Sequence, residues 1–223
     1  KVSLSFVLNG KTIVIPETVM NGILVAIVLS ILAIVVNKEI KKARVDKAPS
    51  NFLNVIEIFV EFINNMVKSN MGENKMQYAP VMSVLISFIA FANILGILGF
   101  EPPTSDYSVT LTLALFVFVL VQGVKIKSSG GIIGYFKSFT KPVALLTPIN
   151  IITEVANPIS MSFRLFGNIM SGSLIMALLH GALGYFSPLV TAPLHLYFDI
   201  FTGILQSYIF VMLTMIFIDG ATE

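Results

Sequence analysis

From Val19 to Val36 every position is apolar except Asn21 and Ser30. At ~1.5 Å of rise per residue such a run crosses a ~30 Å hydrocarbon core as a helix. Pro16, Glu17 and Thr18 supply its opening turn, and the pattern predicts a first span over 16–37. Similar runs predict further spans over 79–100, 107–125, 148–180 and 191–218. At 33 residues the fourth is ~50 Å long, beyond the hydrocarbon thickness, so it must tilt or bend. The last two spans are long, tilted and antiparallel. Between the first and second, residues 51–68 place Phe52, Val55, Ile56, Phe59, Val60, Ile63 and Val67 at helical spacing against Asn54, Glu57, Glu61, Asn64 and Asn65. That pattern suits a helix lying in the membrane interface, and equally a cytoplasmic amphipathic helix packed on a partner. Ahead of the first span, Leu8-Asn9-Gly10-Lys11 marks a turn in a short hairpin or surface segment. The fold class is therefore all-α: one polytopic membrane domain over 1–223, with five transmembrane helices and an interfacial amphipathic helix.

Composition agrees, with 56% hydrophobic and 12% charged residues and a net charge of +2. Ordinary soluble domains are about a quarter charged, and so small a net charge gives no sign of a nucleic-acid partner. Charge placement says more. The stretches 38–79 and 125–147 hold eleven of the fourteen basic residues, and the loops 101–106 and 181–190 hold none. By the positive-inside rule the amino terminus lies outside and the carboxyl terminus in the cytoplasm. Val14 to Val36 is too long for a signal-peptide core, and whatever precedes Lys1 stays open. Pro102 and Pro103 end the second span in a rigid turn, and Asp106 is expected to cap the helix that follows. The chain has no cysteine, so disulfides and thiolate metal sites are excluded. His180 and His195 lack a second ligand at suitable spacing, and neither a metal nor a cofactor is expected. No nucleophile elbow or zinc-helix motif appears, so the chain is expected to have no active site of its own.

Between Pro148 and His180 the only ionisable side chains are Glu154 and Arg164. A guanidinium stays protonated, and holding it at membrane depth costs between ~2.5 and ~17 kcal/mol, depending on how the cost is measured. Charges kept at that cost generally belong to an ion path. At helical spacing Asn168 lies one turn after Arg164, and Ser171 and Gly172 about two turns after it, so a cation, an amide, a hydroxyl and a gap share one stripe. Antiparallel pairing of the last two spans sets Gln206 level with Arg164, as an uncharged partner for the guanidinium. It sets Asp199 outward of Arg164, beside Ser171 to Ser173. Asp199 then marks an inlet from outside, with His195 nearer its mouth. Glu154, with Asn150 and Asn157, lies toward the inner end, where it lines an outlet or stabilises the helix terminus. Two half-paths separated by a fixed positive charge do not leak straight through.

The segment Asn157-Pro158-Ile159-Ser160-Met161-Ser162-Phe163-Arg164-Leu165-Phe166-Gly167-Asn168 resembles the arginine-bearing helix of subunit a, the membrane stator subunit of F-type ATP synthases. Pro102-Pro103-Thr104-Ser105-Asp106 with Thr110 to Leu115 resembles that family's outer loop and following helix, and Gly203 to Phe210 its last helix. The resemblance implies two offset half-channels for protons or sodium ions. It also implies a ring of c subunits whose carboxylates Arg164 attracts and releases, a stator stalk of b subunits, and a bacterial plasma membrane. By position, Arg164 matches the family's essential arginine, Asn168 the neighbouring asparagine, and Gln206 the last-helix glutamine. Ser173 stands where many relatives carry glutamate or histidine, and Asp199 where others carry histidine or glutamate, so one acid is left to serve the inlet alone. The competing reading is a self-contained secondary ion transporter or channel, which would usually show internal repeats, and none is found.

Overall fold

The computed structural model describes residues 4–8, 11–42, 50–138 and 147–222; of Ile97, Phe136, His195, Asp199 and the N-terminal strands it describes the backbone only. Strands β1 (Leu4–Leu8) and β2 (Lys11–Ile15) pair antiparallel, with Leu4 opposite Ile15 and Leu8 opposite Lys11. This is the expected hairpin, and its turn at 9–10 lies outside the described residues. The described elements that follow are helical, among them α1 (Glu17–Lys42), α2 (Asn51–Met71), α3 (Ala79–Ile94), α4 (Tyr107–Ser128), α5 (Ile132–Ser138), α6 (Thr147–Leu183), α7 (Ser187–His195) and α8 (Gly203–Gly220).

Among the described residues four stretches are long and apolar enough to cross a membrane: Glu17–Lys42, Glu73–Ile94, Tyr107–Ser128 and Thr147–Gly220. The last, of 74 residues, contains the two arms predicted as separate spans. Two boundaries need correction. The second span was expected over 79–100, but α3 stops at Ile94; a tight 3-10 turn Leu95–Leu98 follows, closed by Gly99 at φ +82°, which a side chain would resist. The last span was expected as one helix over 191–218. Instead α7 starts at Ser187, and a π-helical stretch Leu196–Thr202 separates it from α8. Pro193 lies inside α7 and offers no N–H, so the regular ladder is already interrupted where the π turns begin. The helix widens over the residues that carry Asp199.

The body is built from α2, α3, α4, α6 and α8, with Met82, Ile89, Val117, Leu165, Phe210 and Met215 fully enclosed at its centre. In lipid the apolar effect does not drive helices together, so close backbone approach and interhelical hydrogen bonds must do so. Both occur here. Asn93 on α3 donates to the carbonyl of Gly203 at the start of α8, and Thr18 and Asn21 tie the amino-terminal end of α1 to Asp106 and to the Glu101 carbonyl. Asp106 also accepts from the Ser108 N–H, capping α4 as expected. Beyond its first turns α1 is largely exposed. In α2 the carboxyl half packs inward through Ile63 and Val67, while Phe52, Val55 and Ile58 of the amino half remain exposed. At the opposite end from Asp106, Lys75 pairs with Asp219 and joins the lead into α3 to the end of α8.

Candidate functional site

Along α6 the side chains of Pro158, Met161, Ser162 and Leu165 face the core, at the spacing of one helix face. Arg164 is turned about a third of the way round from that face, and it is exposed. Among the described residues no carboxylate or hydrogen-bond partner holds its guanidinium. The neighbouring aromatics Phe163 and Phe166 pack against Tyr107 of α4, with ring centroids 4.9 and 5.8 Å away, and brace the backbone on either side of Arg164.

One turn on, Asn168 donates its Nδ2 to Oε1 of Gln206 at 2.5 Å. Gln206 is 3% exposed, and its Nε2 has no partner among the described residues. Gln206 was expected level with Arg164; the bond it makes is to Asn168, one turn further along α6, and its Oε1 keeps a second lone pair that could accept from a guanidinium. Further out, α6 comes close to the π-helical stretch at Gly172, where a Cβ would sit 3.5 Å from the Phe198 ring. That contact puts the Phe198 side chain beside Gly172; the side chains of Asp199 and His195 are outside the described residues. Ser173 is exposed and donates its hydroxyl back to the Met170 carbonyl at 2.9 Å. His180 contacts the Met176 carbonyl through its ring nitrogen.

Two cavities flank Arg164, termed outer and inner by the sidedness that the charge placement predicts. The outer one, about 980 Å³, is walled by α6 from Phe166 outward, by Phe198, and by the 3-10 turn and loop after α3. Asn168 and Ser173 line it together with Glu17, Glu101 and Asp106, and no lysine or arginine does among the described residues. The inner one, about 180 Å³, is lined on α6 by Glu154, Asn157, Pro158 and Met161. Arg164 lines neither and sits between the last inner residue, Met161, and the first outer one, Phe166.

Glu154 does not sit in the first turn of its helix and is no terminus stabiliser. Its two oxygens accept from Gln122 Nε2 at 2.7 Å and Lys125 Nζ at 2.8 Å, both on α4. The Tyr135 hydroxyl of α5 donates to Gln122 Oε1 at 2.8 Å, and Lys125 lies 5.9 Å from the Tyr135 ring centre. Burial, and then the negative charge of Glu154, push the Tyr135 phenol above its ordinary range, so it remains a donor. Sequence reading missed this inner cluster. Its signal was available: Gln122 is the only amide between Val109 and Val124, three positions before a lysine on the same helix face.

A sequence model of the family described as ATP synthase A chain matches residues 18–219. Among curated relatives, the chain is 38% identical to ATP synthase subunit a of Sulfurihydrogenibium sp. over 178 residues, 78% of this chain and 83% of that one. It is 39% identical to ATP synthase subunit a 1 of Chlorobium luteolum, over 76% and 74% of the two chains. It is also 34% identical to the sodium-ion-specific ATP synthase subunit a of Propionigenium modestum, over 74% and 61%.

Proposed function

The chain belongs to the ATP synthase A chain family, and from that membership we propose that it works as subunit a of a rotary F-type ATP synthase, carrying cations to and from a ring of c subunits through two offset half-paths. It is a multi-pass membrane protein and a component of a larger complex. In the proposed arrangement the chain crosses the membrane five times, with the amino terminus outside and α2 at the cytoplasmic interface. The b subunits of the stator stalk and the lipid bilayer complete its surroundings.

The observation that carries the reading is Arg164: an exposed guanidinium with no partner among the described residues, on the length of α6 that separates one cavity from the other. A fixed cation there does two things. It attracts a deprotonated ring carboxylate, which would otherwise be costly to expose in lipid, and it repels any cation moving directly between the cavities. The outer cavity, lined by Asn168, Ser173 and Phe198, serves as the inlet, with Asp199 next along the chain from Phe198. Glu154 serves the outlet, held by Lys125 and Gln122. Each elementary charge crossing the membrane releases ~2.3 kcal/mol per 100 mV, which ring rotation transmits to synthesis elsewhere in the complex. Both protons and sodium ions fit this scheme, since ion choice is made at the ring's carboxylate.

The test is Arg164→Ala in the assembled complex in membrane vesicles. Loss of ion-driven ATP synthesis with normal assembly is expected; normal coupled synthesis would refute the role. Sodium dependence of ATP-driven pumping at fixed pH then distinguishes the two ions.

A further inference from the structure

The π-helical stretch Leu196–Thr202 ends at Gly203, and one turn later stands Gln206. What fixes that junction comes from elsewhere in the chain. The Gly203 carbonyl accepts two side-chain donors: Ser207 Oγ at 2.7 Å from its own helix, and Asn93 Nδ2 at 2.9 Å from α3. Asn93 is itself held by Thr104, whose hydroxyl donates to Asn93 Oδ1 at 2.6 Å from the 3-10 turn Pro103–Ser105. Thr104 is fully buried and Asn93 is 2% exposed, so water does not compete for these bonds. Backbone contact is equally tight, because a Cβ on Gly203 would lie 2.9 Å from the Asn93 Cβ.

π turns satisfy their hydrogen bonds less regularly than α turns and are often found at functional sites. A segment of this kind has no strong preference of its own for where it ends. The Thr104–Asn93–Gly203 chain supplies that preference. The Thr104 hydroxyl occupies Oδ1 and so orients the Asn93 amide with its N–H group toward Gly203. That bond fixes the depth and rotation at which α8 begins, and hence where Gln206 presents Oε1 to Asn168.

We infer that Asn93, oriented by Thr104, is a positioning residue for the Asn168–Gln206 pair next to Arg164, acting through the Gly203 carbonyl at the end of the π-helical stretch. The inference rests on the ion-transfer reading of Arg164 given above. Asn93 touches neither Arg164 nor a moving ion in this role. It holds the helix that carries Gln206 in register.

The experiment uses the complete ATP synthase in membrane vesicles, with ATP-driven ion pumping measured beside ATP hydrolysis. Thr104→Val keeps the shape and removes the donor, and it is expected to lower pumping per ATP hydrolysed roughly three- to tenfold, the effect of losing one buried hydrogen bond. Thr104→Ser restores the hydroxyl and should restore pumping. Asn93→Ala should match Thr104→Val. The decisive measurement is coupling: in a Gln206→Ala background, Thr104→Val should cause no further loss, because the group being positioned is gone. If Thr104→Val causes the same fold-loss with and without Gln206, or Thr104→Ser fails to rescue, the inference is overturned. Unimpaired pumping in Asn93→Ala overturns it as well. Arg164→Ala run in parallel separates the two readings, since retained coupling there removes the ion-transfer role itself, whereas its loss alongside a silent Thr104→Val removes only the positioning role.

Discussion

Asn168 on α6 and Gln206 on α8 meet amide to amide, Nδ2 to Oε1, one turn outward of Arg164. The bond joins the two arms and leaves Gln206 with one buried N–H₂ group that has no acceptor among the described residues. A buried donor left unsatisfied costs ~1–3 kcal/mol, so the site is poised to welcome an acceptor such as a carboxylate oxygen or a water.

Replacing that amide by an acid tests its neutrality. Gln206→Glu keeps the oxygen that Asn168 uses and introduces a fixed negative charge about a turn from Arg164. A permanent carboxylate there competes with any mobile one for the same cation. The expected outcome is at least a tenfold loss of ATP-driven pumping with assembly preserved, whereas Gln206→Asn, shorter but neutral, should lose less. Equal pumping in Gln206→Glu and the unaltered protein would mean that the guanidinium does not sense this position.

Much of this arrangement was legible before any coordinates. Lipid tolerates only continuous apolar runs, so five of them and one arginine stood out, and the Arg164–Asn168 stripe followed from helical spacing alone. The register of the second arm did not. Four residues of α6 separate Gly172 from Asn168, yet eight residues separate their partners Phe198 and Gln206. Simple antiparallel counting assumes equal rise on both arms, and the π-helical stretch with the reach of the side chains breaks that assumption. Pro193 was visible as an interruption, but membrane helices often absorb prolines, so the break it accompanies could not be read from it. The inner cluster depended on packing between distant segments, since Gln122 and Lys125 meet Glu154 across about thirty positions of sequence.

At the inner cavity the ion pair between Lys125 and Glu154 is about one-fifth exposed on each side. Removing one partner of a buried pair is costly because the other charge stays behind, and the two partners here differ in where they can go. Lys125 has a long stem in the last turn of α4 and can extend past the helix end, while Glu154 is held within α6. Glu154→Gln should therefore be tolerated better than Lys125→Ala in thermal unfolding of the detergent-solubilised complex. The reverse order would show that the lysine is the group locked in place.

The Tyr135 hydroxyl provides a spectroscopic handle on the same cluster. Burial chiefly, and the Glu154 charge secondarily, hold its phenol above the ordinary tyrosine range. A raised value means that the neutral form is the one the fold prefers. The stability it contributes is complete below the ordinary tyrosine range and is lost as pH rises through the raised folded value. Ultraviolet titration should find one tyrosine ionising later than the others, absent in Tyr135→Phe and moved only partly back by Glu154→Gln. Complete return in Glu154→Gln would make charge, and not burial, the main cause.

Asp106 carries two duties with its two oxygens, capping α4 through Ser108 and receiving the Thr18 hydroxyl from α1. Loss of a helix cap costs ~0.5–2 kcal/mol. Asp106→Ala should lower the thermal midpoint and increase protease access to the outer end of α1, whereas Asp106→Asn, an equally good cap, should leave both near their original values. A parallel loss in both variants would assign the effect to the charge.

Two glycines with similar surroundings in sequence should respond oppositely to the same methyl group. At Gly172 an added Cβ would meet the Phe198 ring at 3.5 Å, ordinary contact, and the site is within a helix. Alanine there relieves ~0.5–1 kcal/mol of the backbone-entropy penalty of glycine and adds dispersion contact. At Gly203 the same atom would lie 2.9 Å from the Asn93 Cβ, a separation that the rigid backbones of α3 and α8 must open. Overpacking of this kind costs ~1–3 kcal/mol, more than the helix gains. Gly172→Ala should leave the thermal midpoint unchanged or slightly raised, and Gly203→Ala should lower it. Asn93→Gly, which removes the opposing Cβ, should recover part of the loss in the double variant although it also removes the hydrogen bond. If Gly203→Ala proves as stable as Gly172→Ala, α3 and α8 are free to part at this point, and the close contact is not what holds the end of the π-helical stretch.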